Sequence, residues 1–95
     1  MYIQDVIWLE DIEDKIISKH HVWPEEAEQA LVNRPHVRFM ERGNRSGEDL
    51  YAAFGQTDAG RYLAVYFILK PHNSALVITA RDMTEKEKRS YGKRR

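Results

Sequence analysis

The chain has 95 residues, acidic and basic side chains in equal number, and no cysteine. That length makes one domain whose core suffices for folding without staples, and the lack of cysteine excludes a disulfide framework, a thiol nucleophile and a thiolate zinc site while fitting a reducing cytosol. No basic stretch leads into a long apolar core at the N-terminus and no run is long enough to cross a bilayer, so neither a signal peptide nor a membrane span is expected.

Zero net charge conceals an asymmetry. Up to Leu31 there are eight acids and two bases, whereas from Arg81 onward there are seven bases and three acids. This pattern reads as one acidic and one basic face, the second a footprint for phosphate, although two ordinary solvated helices give the same counts.

Met1–Trp8 reads as a short first strand, with Ile3, Val6 and Ile7 apolar around a polar Gln4-Asp5 interruption. From Leu9 the period changes: Leu9, Ile12, Ile16 and Ile17 fall on one helical stripe, with Glu10, Glu13, Asp14 and Lys15 opposite. Acids in the first turn and Lys19, His20 and His21 in the last suit the dipole of such a helix. A second helix begins at Trp23-Pro24-Glu25-Glu26, since proline lacks only the N–H that a first helical residue leaves unpaired. Ala27, Ala30 and Leu31 form its buried face, Val22 is spaced to staple onto Ala27, and Asn33-Arg34-Pro35 stops it.

From His36 the side chains alternate, Val37 and Phe39 against His36, Arg38, Met40 and Arg42. Gly43–Gly47 is a loop, and Glu48–Thr57 is the partner strand, with Leu50, Ala52 and Phe54 opposite Tyr51 and Ala53. Asp58-Ala59-Gly60 turns into Arg61–Lys70, an apolar run of the length of a strand buried on both faces. Pro71-His72-Asn73-Ser74 carries turn residues. Ala75–Asp82 then completes a central hairpin, with Leu76, Ile78 and Ala80 on one face and Val77, Thr79 and Arg81 on the other. A charged helix, Met83–Tyr91, follows. The order β-α-α-β-β-β-β-α predicts an α+β fold, an antiparallel sheet with its helices packed on one side. Residues 1–91 are expected to form the single domain and residues 92–95 a basic C-terminal tail.

Thr84 and Glu87 have the spacing of a capping box. Met83 and Tyr91 are nearly the only apolar residues near the last helix, which therefore either docks through them or offers its charge to a partner. Arg81 leaves the central hairpin where an arginine needs an anion. Glu48 or Asp82 would serve, and so would a phosphate, which the planar guanidinium fork fits. Arg61, at the start of the long strand, adds a second cation. Lys19-His20-His21 either caps the first helix through its last carbonyls or offers His20 for proton transfer with Lys19 on the phosphate. The spacings of His20, His21, His36 and His72 match no usual metal motif. Tyr51, Tyr62, Tyr66 and Tyr91 pack the sheet or stack bases.

Ile78-Thr79-Ala80-Arg81 followed by Glu85, Glu87, Arg89 and Tyr91 resembles the C-terminal signature of the BrnT-type toxins of bacterial toxin–antitoxin systems. Lys19-His20 ahead of Glu25-Glu26-Ala27 resembles a second segment of that family, and Gly47-Glu48, Tyr51, Phe54-Gly55 and Gly60-Arg61 with Leu63 and Val65 resemble its central hairpin. The likeness runs in order from about Trp8 to Tyr91. It implies a RelE-like fold and a small cytoplasmic ribonuclease toxin that inhibits translation. Cleavage would need no metal and no other cofactor. The implied partners are an RNA substrate and a cognate ribbon-helix-helix antitoxin that neutralises the toxin, in a heterotetramer or beside a homo-oligomer. On this chain the resemblance assigns phosphorane stabilisation to Arg81 and Arg61, proton transfer to His20 or Glu48, and substrate support to Lys19, Arg89 and Tyr91. The chain departs from the family's pattern at His21, where glycine is usual, at Trp23-Pro24, which replaces a polar cap, and at Leu50, where many members carry arginine. With that cation absent, a catalytically degenerate protein- or RNA-binding module is the second reading.

Overall fold

Among the described residues the chain forms nine elements. The computed structural model, which describes residues 1–45 and 47–93, has β1 (Asp5–Ile7), α1 (Glu10–His20), α2 (Pro24–Val32), β2 (His36–Glu41), β3 (Leu50–Gln56), β4 (Tyr62–Lys70), β5 (Ser74–Asp82) and α3 (Glu85–Lys93), with a 3-10 turn over Pro71–Asn73. The strands form one sheet in the order β1-β5-β4-β3-β2. Short connections make β2 to β5 an antiparallel meander. β1, however, lies parallel to β5, pairing Asp5 with Ser74 and Ile7 with Leu76. The sheet is therefore mixed, not antiparallel: two helices and a three-strand meander separate β1 from β5, so no tight turn dictates its direction. Among the described residues no helix is long and apolar enough to cross a membrane.

Alternation sends Ala53, Leu63, Val65, Phe67, Ala75 and Val77 to one face, where they pack against Ile16 of α1 and Ala27, Ala30 and Leu31 of α2. Val22 is buried in the same core as Ala27, as a staple requires. Gly55 lets α2 approach β3 closely, since a Cβ there would strike the Ala30 carbonyl oxygen. Leu9 leaves the expected stripe. It is the N-cap of α1, its carbonyl accepts the N–H groups of Ile12 and Glu13 at 3.0 and 3.1 Å, and it is 49% exposed.

Ala52, Phe54 and Ala64 point the other way and receive Met83 and Tyr91, each 5% exposed. Two anchors suffice to dock so charged a helix because the alanines leave room for them. The helices are thus not all on one side, since α3 covers the face opposite α1 and α2. α3 also runs on through Gly92 and Lys93, which belong to the helix instead of a tail; Arg94 and Arg95 lie outside the described residues.

One irregularity decides where Arg81 points. Tyr66 pairs with Thr79 but Phe67 pairs with Val77, so Ile78 is an extra residue in β5. Such a bulge reverses the alternation beyond it. Val77 and Ala80 both enter the main core, whereas Arg81, opposite Ala64, emerges on the α3 face. Simple alternation, which put Val77 and Arg81 on one face, fails for this reason. Lys15 of α1 donates to the bulged Ile78 carbonyl at 3.0 Å, satisfying a polar group beside the core.

α1 ends at His21, whose φ of 55° is left-handed and whose N–H donates to the Ile17 carbonyl at 3.2 Å. Left-handed backbone disfavours a side chain bearing Cβ by about 1–2 kcal/mol, partly offset by the greater entropy glycine loses on folding. His21→Gly is therefore expected to raise stability by about 0.5–1 kcal/mol, a gain of a few degrees in a thermal melt; a lower melting temperature would contradict this reading of the cap.

Candidate active site

Arg81 stands where the end of β5 meets the start of α3. Its Nη1 donates to Glu87 Oε1 at 2.8 Å and to the Asp82 carbonyl at 3.1 Å, and its Nη2 to Glu87 Oε2 and the Tyr66 hydroxyl, both at 3.0 Å. The guanidinium carbon is 5.5 Å from the centre of the Tyr66 ring, a cation–π distance. Glu87 also closes the expected capping box, accepting the Thr84 N–H at 2.8 Å while its own N–H donates to the Thr84 hydroxyl at 3.1 Å. The Arg81 bonds, joined by the Thr84 N–H, hold the Glu87 carboxyl below the usual carboxylate range against the opposing effect of burial. Glu87 in turn keeps Arg81 more firmly protonated than a free arginine. Arg81 thus commits four of its five N–H groups. Its Nε–H meets no acceptor among the described residues, and 30% of its side chain remains open to solvent.

Arg61, at the start of β4, commits every donor. Nε donates to Asp82 Oδ1 at 2.8 Å and Nη2 to Asp82 Oδ2 at 3.2 Å; Nη1 donates to Glu26 Oε1 at 3.0 Å and the His21 carbonyl at 2.8 Å, and Nη2 also to the His20 carbonyl at 3.3 Å. The last carbonyls of α1 are therefore met by Arg61, not by the basic side chains of the helix itself. Glu26 passes the connection to α2, accepting the Trp23 N–H at 3.0 Å. Asp82 links the two arginines, with its carbonyl on Arg81 and its carboxylate on Arg61. Its carboxyl is lowered chiefly by the Arg61 hydrogen bond, with the charges of Lys88 and His20 adding to the effect.

The structure thus brings Arg81, Arg61 and His20 to one end of the sheet, with Lys19 exposed at the neighbouring end of α1 and Arg89 exposed on α3. Tyr91 is an anchor of α3, its ring edge-on to Tyr62 with centroids 6.0 Å apart. Glu48 stands apart. Arg81 pairs with Ala64 and Leu50 with Ile68, so Glu48 lies about 20 Å along the sheet at ~3.3 Å per residue. Leu50, half-buried beside Ile68, offers no cation. Tyr51 stacks on Phe67 on the α1–α2 face, with centroids 5.8 Å apart.

Two participants escaped the sequence reading. By spacing Glu87 is a capping residue that also falls in the C-terminal signature, and Tyr66 packs or stacks; their contact with Arg81 is not legible in the sequence because the register that brings both to it depends on the bulge. A cleft of about 780 Å³ opens between the α2–β2 turn and the Thr57–Gly60 turn; of the expected site residues only Tyr91 lines it. Among the described residues, no three His, Asp or Glu side chains are grouped to hold a metal ion.

A family model described as "Ribonuclease toxin, BrnT, of type II toxin-antitoxin system" matches residues 8–87. Among solved structures, the crystal structure of the Brucella abortus ribonuclease toxin BrnT is similar with a TM-score of 0.62 and 20% sequence identity, over 85% of this chain and 97% of that one. No curated protein matches the chain.

Proposed function

Because this chain belongs to the BrnT family of ribonuclease toxins of type II toxin–antitoxin systems, we propose that it cleaves RNA by internal attack at the end of the sheet where Arg81 emerges. The 2′-oxygen attacks the adjacent phosphorus through a pentavalent phosphorane, the 5′-oxygen leaves, and a 2′,3′-cyclic phosphate remains. The reaction needs a group to take the 2′-hydroxyl proton, a cation for the phosphorane, and a group to protonate the leaving oxygen. Arg81 supplies the cation, through its open Nε–H and through donors now lent to Glu87 and Asp82. Glu87 is a poor general base, since its carboxyl is held down, and serves instead to aim Arg81. His20 carries the proton transfer, as its ring offers one nitrogen that can accept a proton and one that can donate it. Arg61 has no donor left for phosphate; it is a positioning residue that fixes the end of α1 and hence His20. Lys19 and Arg89 draw in the RNA strand, Tyr91 keeps α3 in place, and Glu48 takes no part.

The family implies an antitoxin partner and an RNA substrate. In finer detail, residues 1–91 act as one RelE-like toxin domain in the cytoplasm and inhibit translation, neutralised by a ribbon-helix-helix antitoxin in a heterotetramer. Leu50, where a further cation is usual, favours a second reading as a non-catalytic binding module. The observation that carries the first is the Ile78 bulge, which turns a guanidinium fork away from the main core onto a partly open face. Total RNA incubated with the purified protein in EDTA tests it. Discrete fragments ending in cyclic phosphate are expected, and intact RNA in the presence of folded protein would favour the binding module.

A further inference from the structure

Both arginines of the site are already largely neutralised by carboxylates of the protein. An RNA strand carries a charge at every nucleotide, so holding it calls for cations that are still free. Cross-strand pairing identifies one on the same face. The register runs Arg38–Ala52–Tyr66–Thr79 across β2, β3, β4 and β5, and the neighbouring row runs His36–Phe54–Ala64–Arg81. Arg38 and Arg81 therefore share the α3 face, with Tyr66 between them. Arg38 is exposed on the edge strand, and no carboxylate pairs with it among the described residues. Of the other exposed arginines, Arg89 lies on α3 itself, Arg34 lies in the α2–β2 turn, and Arg42 and Arg45 follow β2 in the loop beyond the Phe39/Glu41 register shift, so none shares a strand row with Tyr66.

We propose that Arg38 binds the phosphate backbone of single-stranded RNA, two strands across from Tyr66, while Arg81 engages the scissile phosphate. Three strand spacings and two residues along the sheet put the Arg38 backbone about 16 Å from that of Arg81, a span that two long side chains and one strand of RNA can bridge. Tyr66, half-buried, has its hydroxyl held by Arg81 and that guanidinium over its ring; an unstacked base can meet it only on the remaining ring face, which favours a single strand over a duplex. The proposal rests on the ribonuclease reading of Arg81, and binding can be measured without cleavage.

The test is fluorescence anisotropy with a labelled single-stranded 2′-O-methyl oligonucleotide, which lacks the attacking hydroxyl, titrated with wild type, Arg38→Ala and Arg38→Lys over a range of salt. Arg38→Ala is expected to bind about tenfold more weakly at low salt. Its plot of log affinity against log salt should be shallower by about 0.7, the loss of one single-strand phosphate contact. Arg38→Lys keeps the wild-type slope, which a loss of fold in the alanine variant would not explain. If Arg38→Ala matches the wild type in affinity and slope while RNA is still cut, Arg38 has no such role and the ribonuclease reading stands. If Arg38→Ala instead loses only its grip on an antitoxin, the residue is a protein contact. Tight, Arg38-dependent binding by a protein that cuts nothing would keep this inference and overturn the ribonuclease reading; a wild type that neither binds nor cuts RNA overturns both.

Discussion

Arg81→Ala is expected to leave a folded protein that cleaves RNA about 100- to 1,000-fold more slowly, the usual cost of removing one donor aimed at developing charge. The loss should fall mainly on kcat, because the guanidinium is engaged with Glu87 and Tyr66 before substrate arrives and meets its full demand only when the phosphorane forms. Arg81→Lys should recover little, since a lysine ammonium lacks the planar fork that grips Glu87 through two parallel bonds. Stability should change by only about 1 kcal/mol, as the pair is partly solvated. Glu87 also retains its Thr84 cap. Single-turnover cleavage beside a thermal melt separates the two effects. A folded Arg81→Ala protein with wild-type kcat would remove Arg81 from the chemistry.

Arg61→Ala should have the largest effect on folding. One guanidinium joins the end of α1, the first turn of α2 and the end of β5, and its removal leaves two carbonyls and two carboxylates without their donor. Partial exposure of the pair with Glu26 and greater exposure of Asp82 reduce the cost, so about 2 kcal/mol is expected instead of the larger figure for a buried pair. For a chain of this size that lowers the melting temperature by roughly 10 °C. The effect should depend on pH. Asp82 has a lower pKa folded than unfolded, so the unfolded chain binds the proton more readily and stability rises with pH through that interval. The contribution is complete above the ordinary carboxylate range and disappears as pH falls through the lowered folded value. The gap between wild type and Arg61→Ala should therefore narrow in acid. A gap unchanged from neutral pH down to pH ~3 would show that the Asp82 pair contributes little.

Much of the fold was legible because local patterns specify it. The 3.6-residue stripe of α1, Pro24 at the start of α2, the Thr84–Glu87 box and the two apolar anchors of α3 each act within a few residues. What escaped depends on distance or on a single inserted residue. In the run from Ala75 to Ala80 the side chains are apolar on both faces, apart from Thr79, so alternation cannot reveal that Ile78 is extra. The face of Arg81, and its choice of Glu87 over Glu48 or Asp82, follow from that bulge. The partners of Arg61, Glu26 and Asp82, are not legible in the sequence because they lie 35 and 21 residues away. The parallel β1–β5 pairing is long-range for the same reason.

The role of Arg81 is tested most directly by following the arginine Nε–H signals of isotopically labelled protein by NMR as a 2′-O-methyl RNA is added, with Arg81→Lys and Arg61→Lys variants to assign them. The Arg81 Nε–H, without an acceptor among the described residues, should shift strongly as it meets phosphate. The Arg61 Nε–H, held by Asp82 at 2.8 Å, should stay where it is. Bound RNA that moves the Arg61 signal and leaves Arg81 undisturbed would place the scissile phosphate elsewhere and contradict the site.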